Sequence, residues 1–294
     1  MELLVAKNLD EYSTIINNLK STEQSLWYRG MSSASYLLEP SLFREKSVIG
    51  LEYSGREING RYYRKSEAIM KSDLAAIDSF IEQYSQFYPE KTKNYNLVDY
   101  LYIMQHYDIP TRLLDFSKDE LIALYFAVAN LKKDKVLDCD EEIEDYFEKD
   151  GDSDLGASVH IIDPIYTNEN TNIFVNLKDQ ILNIDNIDID VLSNIDLPLC
   201  IETDNQDSRI ISQKGVFLLF GRAYKPYEYY DIFNRKTVKI FIPNSCRSLI
   251  KQELKETLKI SHRSVFPDIK GISMEIIEQI EDKYKKDCFS VFGK

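Results

Sequence analysis

No run of apolar residues in this chain approaches the roughly 18 that a bilayer-spanning helix needs, so no membrane partner is expected. The opening residues, MELLVAKNLDEYS, have no basic stretch followed by a long apolar one, and no secretory signal is read there. Cysteine is scarce: Cys139, Cys200, Cys246 and Cys288 lie far apart and form no CxxC pair. That spacing excludes a zinc knuckle or a disulfide framework and points to reduced thiols in a cytoplasm. The usual phosphate loops are missing, since neither GxxxxGK[ST] nor GxGxxG occurs. The three histidines, His106, His160 and His262, have no metal-ligand spacing, and no metal is expected. Asp150, Asp152 and Asp154 imitate the start of a calcium loop, but Leu155 stands where glycine is needed and Ile161 where glutamate is needed. Positive charge is in the minority, with 36 Lys and Arg against 49 Asp and Glu and a net charge of −13. Such a chain repels a phosphate backbone, which argues against nonspecific DNA binding.

What is present is enough for a core: 44% of the 294 residues are hydrophobic. Residues 9–20 place Leu9, Tyr12, Ile15, Ile16 and Leu19 at helical spacing, and SLWYRG (25–30) reads as a short strand ended by Gly30. Residues 66–88 set Met70, Leu74, Ile77, Ile81, Tyr84 and Tyr88 at steps of three and four, an amphipathic helix. A second helix over 97–107 ends before Ile109-Pro110, because the residue before proline leaves the α region. TRLLDFS (111–117) reads as a strand, and the helix after it, over 118–131, is apolar on nearly every side and is expected to be buried. Between Asp134 and Asp154 stand eleven acids and two lysines, read as a mobile insertion that buries nothing. SVHIIDP (158–164), GVFLLFG (215–221) and TVKIFIP (237–243) read as strands, separated by an Asn/Asp-rich insertion over 165–207. Ser245 is expected to cap a helix over 246–258, and a last helix spans 272–285, giving a C-terminal helical segment over 245–290. There is no internal repeat and no βαβ rhythm, so the class is α+β, in a single domain over 1–294.

Three segments hold residues suited to chemistry. In Trp27-Tyr28-Arg29-Gly30 an arginine sits inside an apolar strand, where a guanidinium takes an anionic partner: a phosphate, or an internal carboxylate. In QHYDIPTRLLDFS (105–117) alternation puts Thr111, Leu113, Asp115 and Ser117 on one strand face and Arg112, Leu114 and Phe116 on the other. The first face suits a hydrogen-bonding cleft. The alternatives are a structural Arg112–Asp115 salt bridge and a Ser117/Glu120 capping box for the next helix. In RIISQKGVF (209–217), Gln213 at a strand mouth is placed either to bind a substrate amide or hydroxyl or to satisfy a neighbouring loop.

Together these segments resemble the FRG domain family. Tyr28-Arg29-Gly30 matches its name motif, and QHYDIPTRLLDFS followed by ALYFA matches its central block, with Asp108 where the family has glycine, a departure expected to alter one turn. The run from Arg209 through Gln213 and Gly215 to Phe217 matches a later block, and FPDIKG (266–271) a closing signature, so the resemblance covers about 27–271. A looser resemblance is to arginine-type ADP-ribosyltransferases, whose three motifs occur in the same order. It implies a small, mainly antiparallel sheet flanked by helices, ADP-ribosyltransferase-like, with NAD as substrate. On it, Arg29, Asp115, Ser117 and Gln213 are the catalytic candidates, and Arg29, Gly30, His106, Thr111, Arg112 and Ser117 the cofactor-binding ones. One departure is chemical: Gly215 stands at the second acidic position of the third motif, so Asp115 or Glu202 has to stand in for the missing carboxylate. The resemblance thus implies an NAD-dependent ADP-ribosyltransferase or glycohydrolase acting as a bacterial or phage toxin or defence effector on an unidentified macromolecular target. The alternatives are a non-enzymatic nucleotide- or protein-sensing module of an antiphage system, and a nucleic-acid-acting protein using His106, Arg112 and Arg209 on phosphates.

Overall fold

A computed structural model of the chain describes residues 1–22, 25–44, 61–130, 138–171, 182–183, 194–203, 207–223 and 225–292. Its strands are β1 (Glu2–Val5), β2 (Trp27–Met31), β3 (Leu113–Ser117), β4 (Gly156–Ile162), β5 (Leu182–Asn183), β6 (Leu199–Glu202), β7 (Gly215–Leu219) and β8 (Val238–Pro243). They form one eight-stranded sheet in the order β1-β8-β4-β2-β3-β7-β6-β5. The α+β class stands, but the small, mainly antiparallel sheet does not. The sheet is mixed: β1 runs parallel to β8 at one edge and β5 parallel to β6 at the other, with antiparallel pairing between. The first edge is the segment Glu2–Val5, whose four half-exposed residues carry too little pattern to announce a strand.

The helices are α1 (Leu9–Thr22), α2 (Ser41–Arg44), α3 (Arg61–Phe87), α4 (Leu97–His106), α5 (Glu120–Val128), α6 (Cys139–Glu148), α7 (Pro164–Thr171), α8 (Ser208–Gln213), α9 (Asp231–Asn234), α10 (Asn244–Glu256), α11 (His262–Val265) and α12 (Ile269–Phe292). None among the described residues is long and apolar enough to cross a membrane. Alternation along the strands builds a core on each face. On one face Trp27, Met31, Leu114, Phe116 and Leu218 meet Leu42, Tyr227 and Phe233. On the other, Tyr28, Ile161 and Ile240 pack under α5 and α10, while Leu113, Phe217 and Leu219 pack under α3 and α4. The predicted buried helix is α5, with Ile122, Ala123, Leu124, Tyr125, Ala127 and Val128 all buried. Its cap is Asp119, which accepts from the Leu121 and Ile122 amides at 2.8 and 3.2 Å; the expected Ser117/Glu120 box is not formed. The buried Arg247 of α10 closes the other end, with Nη2 donating to the Ala127 and Asn130 carbonyls at 2.9 and 2.5 Å.

The acidic segment corrects its expectation. From residue 138 to 154 it is built into the fold: α6 carries a capping box between Asp138 and Glu141 and buries Tyr146, which stacks on Phe241 at 4.3 Å. Glu142, 1% exposed, accepts from the amide and hydroxyl of Ser245 at 3.0 and 2.8 Å. Thus Ser245 is held by another helix's carboxylate and is not itself the side-chain cap; α10 begins at Asn244. Residues 134–137 lie outside the described residues. In the Asn/Asp-rich stretch, α7 delivers Asn168 to the edge of β6, where its amide pairs with both the N–H and the carbonyl of Cys200 at 2.7 and 2.9 Å.

Candidate functional site

On the face shared by α4 and α5, the two cores stop short of one another at the junction of β2 and β3, leaving a cleft of about 380 Å³. Tyr102, Gln105 and His106, at helical spacing on α4, form one wall. Ala123 and Phe126 of α5 form the other, extended by Phe266, whose ring meets Phe126 edge-on at 5.9 Å. Asp115, Ser117, Gly215 and Phe217 line the floor, in the register Asp115↔Phe217 and Ser117↔Gly215. Gly30 is there because α5 crosses β2 on top of it: a Cβ would lie 1.8 Å from the Ala123 carbonyl oxygen.

Arg29 sits at the seam. Alternation puts it on the Trp27 face, but β2 and β3 are in register only at Tyr28↔Ser117, and the guanidinium reaches through the gap beyond that pair. Its Nη1 donates to the main-chain carbonyl of Asp115 and lies 3.9 Å from the Asp115 carboxylate. Its Nε is buried with no hydrogen-bond partner. Burial brings its pKa down to about 10, against the pull of Asp115 and with the nearby charge of Arg44. The Asp115 side chain is 51% exposed, yet the enclosing cleft raises its pKa against the lowering effects of Arg29 and the Gln105 hydrogen bond. Gln105 fixes it: Nε2 donates to Asp115 Oδ2 at 2.6 Å, while Oε1 accepts from the Thr111 hydroxyl at 3.2 Å. A smaller cavity of about 250 Å³ adjoins, sharing Arg29, Gln105 and Asp115 and adding Ser41 and Arg44.

Arg29, Gly30, His106, Asp115, Ser117 and Gln213 all line the one cleft, although four separate stretches of chain supply them. Their polar atoms are differently committed. The Ser117 hydroxyl donates to the Gln213 carbonyl at 2.7 Å and accepts from the Asp119 amide at 2.9 Å. Gln213 ends α8, two residues before the start of β7; its Nε2 donates to the Val265 carbonyl at 3.2 Å. Thr111 is fully buried behind Gln105 and orients that side chain without facing the cleft. Arg112 points away altogether: its Nε is 2.6 Å from Asp73 Oδ2, both side chains 1% exposed, so its salt-bridge partner is Asp73 and not Asp115. Strand β3 begins only at Leu113, so alternation does not extend back to it. Glu202 pairs with Lys118 at 2.6 Å outside the cleft, whose lining carboxylates are Asp108 and Asp115.

Arg209 is likewise taken, with Nε 2.5 Å from Asp268 Oδ2 and its guanidinium over Phe266 at 5.8 Å. This joins the two C-terminal motifs: Asp268 also accepts from the Lys270 and Gly271 amides. Arg112 and Arg209 of the nucleic-acid reading are thus both paired with carboxylates, while its third residue, His106, lines the cleft. Asp108 has φ at +61°, a left-handed conformation that aspartate tolerates. Tyr102, Gln105 and Phe126 are not among the candidates named from the sequence; Gln105 and Phe126 lie within the quoted motif blocks, and Tyr102 stands one helical turn before Gln105 and His106. Among the described residues no group of three or more His, Cys, Asp or Glu could hold a metal ion.

Residues 24–136, a shorter span than the sequence resemblance covered, match the FRG domain, and the match supports the FRG family. No curated protein and no solved structure matches the chain.

Proposed function

We propose that this chain, FRG-matching over residues 24–136, binds NAD or a related dinucleotide in the cleft and transfers its ADP-ribose to water or to a macromolecule. The observation that carries the reading is the meeting of Arg29 and half-exposed Asp115 on the floor of a ring-lined cleft. The rings of Tyr102, His106, Phe126 and Phe266 offer flat apolar surface for a base. Arg29 has a buried Nε without a partner, suited to phosphate oxygens. Loss of nicotinamide leaves positive charge on the ribose, and a carboxylate beside the anomeric carbon stabilises it, as in glycoside chemistry. Asp115, held by Gln105, is placed for that role. Such a chain would serve as a toxin or defence effector.

A second reading is favoured by the committed atoms: the Ser117 hydroxyl and the Gln213 amide are spent on backbone carbonyls, and Gly215 adds no carboxylate. On it the same cleft binds the nucleotide without turnover and acts as a sensing module. The two part in one experiment. NAD is incubated with the purified chain and nicotinamide release is followed, while NAD titration by calorimetry measures affinity for wild type, Arg29→Lys and Asp115→Asn. The enzymatic reading expects turnover that Asp115→Asn abolishes with binding kept, and weaker binding in Arg29→Lys because the planar fork is lost. Binding without turnover selects the sensing module. No binding heat in the wild type removes both.

A further inference from the structure

Away from the cleft, Cys139 Sγ and Cys246 Sγ lie 3.6 Å apart although 107 positions separate them in sequence. A disulfide needs about 2.05 Å, so side-chain rotation over a short distance would join them. Both cysteines are partly exposed, whereas Cys200 is buried. The helices carrying them are already docked, since Glu142 of α6 accepts from Ser245 of α10, next to Cys246. The two sulfurs have different surroundings. Cys139 opens α6, close to the Lys7 ammonium that is hydrogen-bonded to Asp140. Cys246 is pushed up to about 11, first by burial and then by Cys139, and Glu142 adds to this.

We propose that Cys139 and Cys246 are a reversible oxidation site for peroxides, with Cys139 the attacking thiol and Cys246 the resolving one. The Cys139 thiolate attacks the O–O bond of hydrogen peroxide, forming a sulfenic acid and releasing hydroxide, which takes up a proton to become water. The Cys246 sulfur then attacks the Cys139 sulfur, and its proton leaves with the displaced hydroxide as a second water. Two thiols are oxidised and one peroxide is reduced to two waters. The product clamps α6, the start of the acidic segment, onto α10, whose Arg247 holds the end of the cleft helix α5. The bond would also close a long loop in the unfolded chain, which stabilises the fold.

The full chain is treated with stoichiometric hydrogen peroxide, free thiols are blocked with N-ethylmaleimide, and intact mass, peptide mapping and melting are recorded. The expected result is loss of two hydrogens, a linked pair of peptides holding Cys139 and Cys246, and a melting temperature raised by several degrees, all reversed by dithiothreitol. Cys139→Ser and Cys246→Ser should each abolish the link, and Cys288→Ser should keep it. Cross-linking through Cys200 or Cys288 in its place, or oxidation of Cys139 to sulfinic acid with Cys246 still free, would overturn the proposal.

Discussion

Arg112 and Asp115 stand three positions apart in one motif, and the structure gives them opposite duties, which a pair of substitutions can separate. Arg112→Gln removes the charge that compensates Asp73, leaving a carboxylate that is 1% exposed without its ion-pair partner. Breaking one side of a buried pair costs about 3–5 kcal/mol, which for a chain of this size lowers the melting temperature by roughly 10 °C. Burial raises the Asp73 pKa and lowers that of Arg112, each against the pull of its partner, so desolvation outweighs attraction on both sides. The double replacement Asp73→Leu/Arg112→Met should therefore cost less than Arg112→Gln alone. Asp115→Asn, at a half-exposed position, keeps an acceptor for Gln105 and should cost no more than about 1 kcal/mol. Urea unfolding followed by circular dichroism measures each variant. Equal losses for Arg112→Gln and Asp115→Asn, or strong coupling between them in a double-mutant cycle, would refute the division into a structural and a functional residue.

Gly30→Ala drives a methyl group into the backbone of α5 at Ala123 and Ala127, so it should destabilise by about 3 kcal/mol, the upper end of ordinary overpacking; a melting temperature equal to wild type would contradict the close crossing. Tyr146→Ala should cost about 3–5 kcal/mol in urea unfolding, and deleting 137–153 should cost at least as much, because Tyr146 is fully buried against Phe241. Burial pushes the Glu228 carboxyl up from 4.5 to about 7, despite its bond from the Leu38 amide and the charge of Lys239, with Glu39 adding to the rise. A raised carboxyl stabilises fully below its unfolded value and loses that contribution as pH climbs through about 7, by up to about 3 kcal/mol. Melting curves against pH should show the decline between about 4.5 and about 7 flattened in Glu228→Gln. The acid-side loss from His160, whose burial holds it neutral and its pKa well below 6.5, should remain.

Long periodic segments were legible. The apolar stretch after TRLLDFS is α5, and alternation along β3 does send Leu114 and Phe116 to one core and Leu113 to another. Arg29 and Asp115 could be singled out because a charge inside an apolar strand needs a local reason. What failed was non-local. The edge strand β1 is recognisable only through its parallel partner β8. The acidic segment averages to a solvated loop, but Tyr146 carries its packing and Glu142 accepts two bonds from Ser245. Ser117 and Gln213 looked like ligand donors because the carbonyls that occupy them, Gln213 and Val265, come from distant chain. For Arg112 the strand boundary decided it: β3 starts at Leu113, two residues later than the pattern suggested, so Arg112 lies before the strand.

Between β2 and β3 a side chain replaces part of a ladder, since Arg29 bonds the Asp115 carbonyl where the backbone pairing has ended. The middle of the sheet is thus fastened by a clasp that is also the handle for the proposed ligand. An anion that draws the guanidinium toward itself competes with the bond that holds two strands together, so occupancy and mechanical continuity trade against each other at one residue. The sheet then reports on the cleft: amides of β3 beside the clasp should exchange with solvent at a rate that depends on what Arg29 is holding, whether or not any chemistry follows.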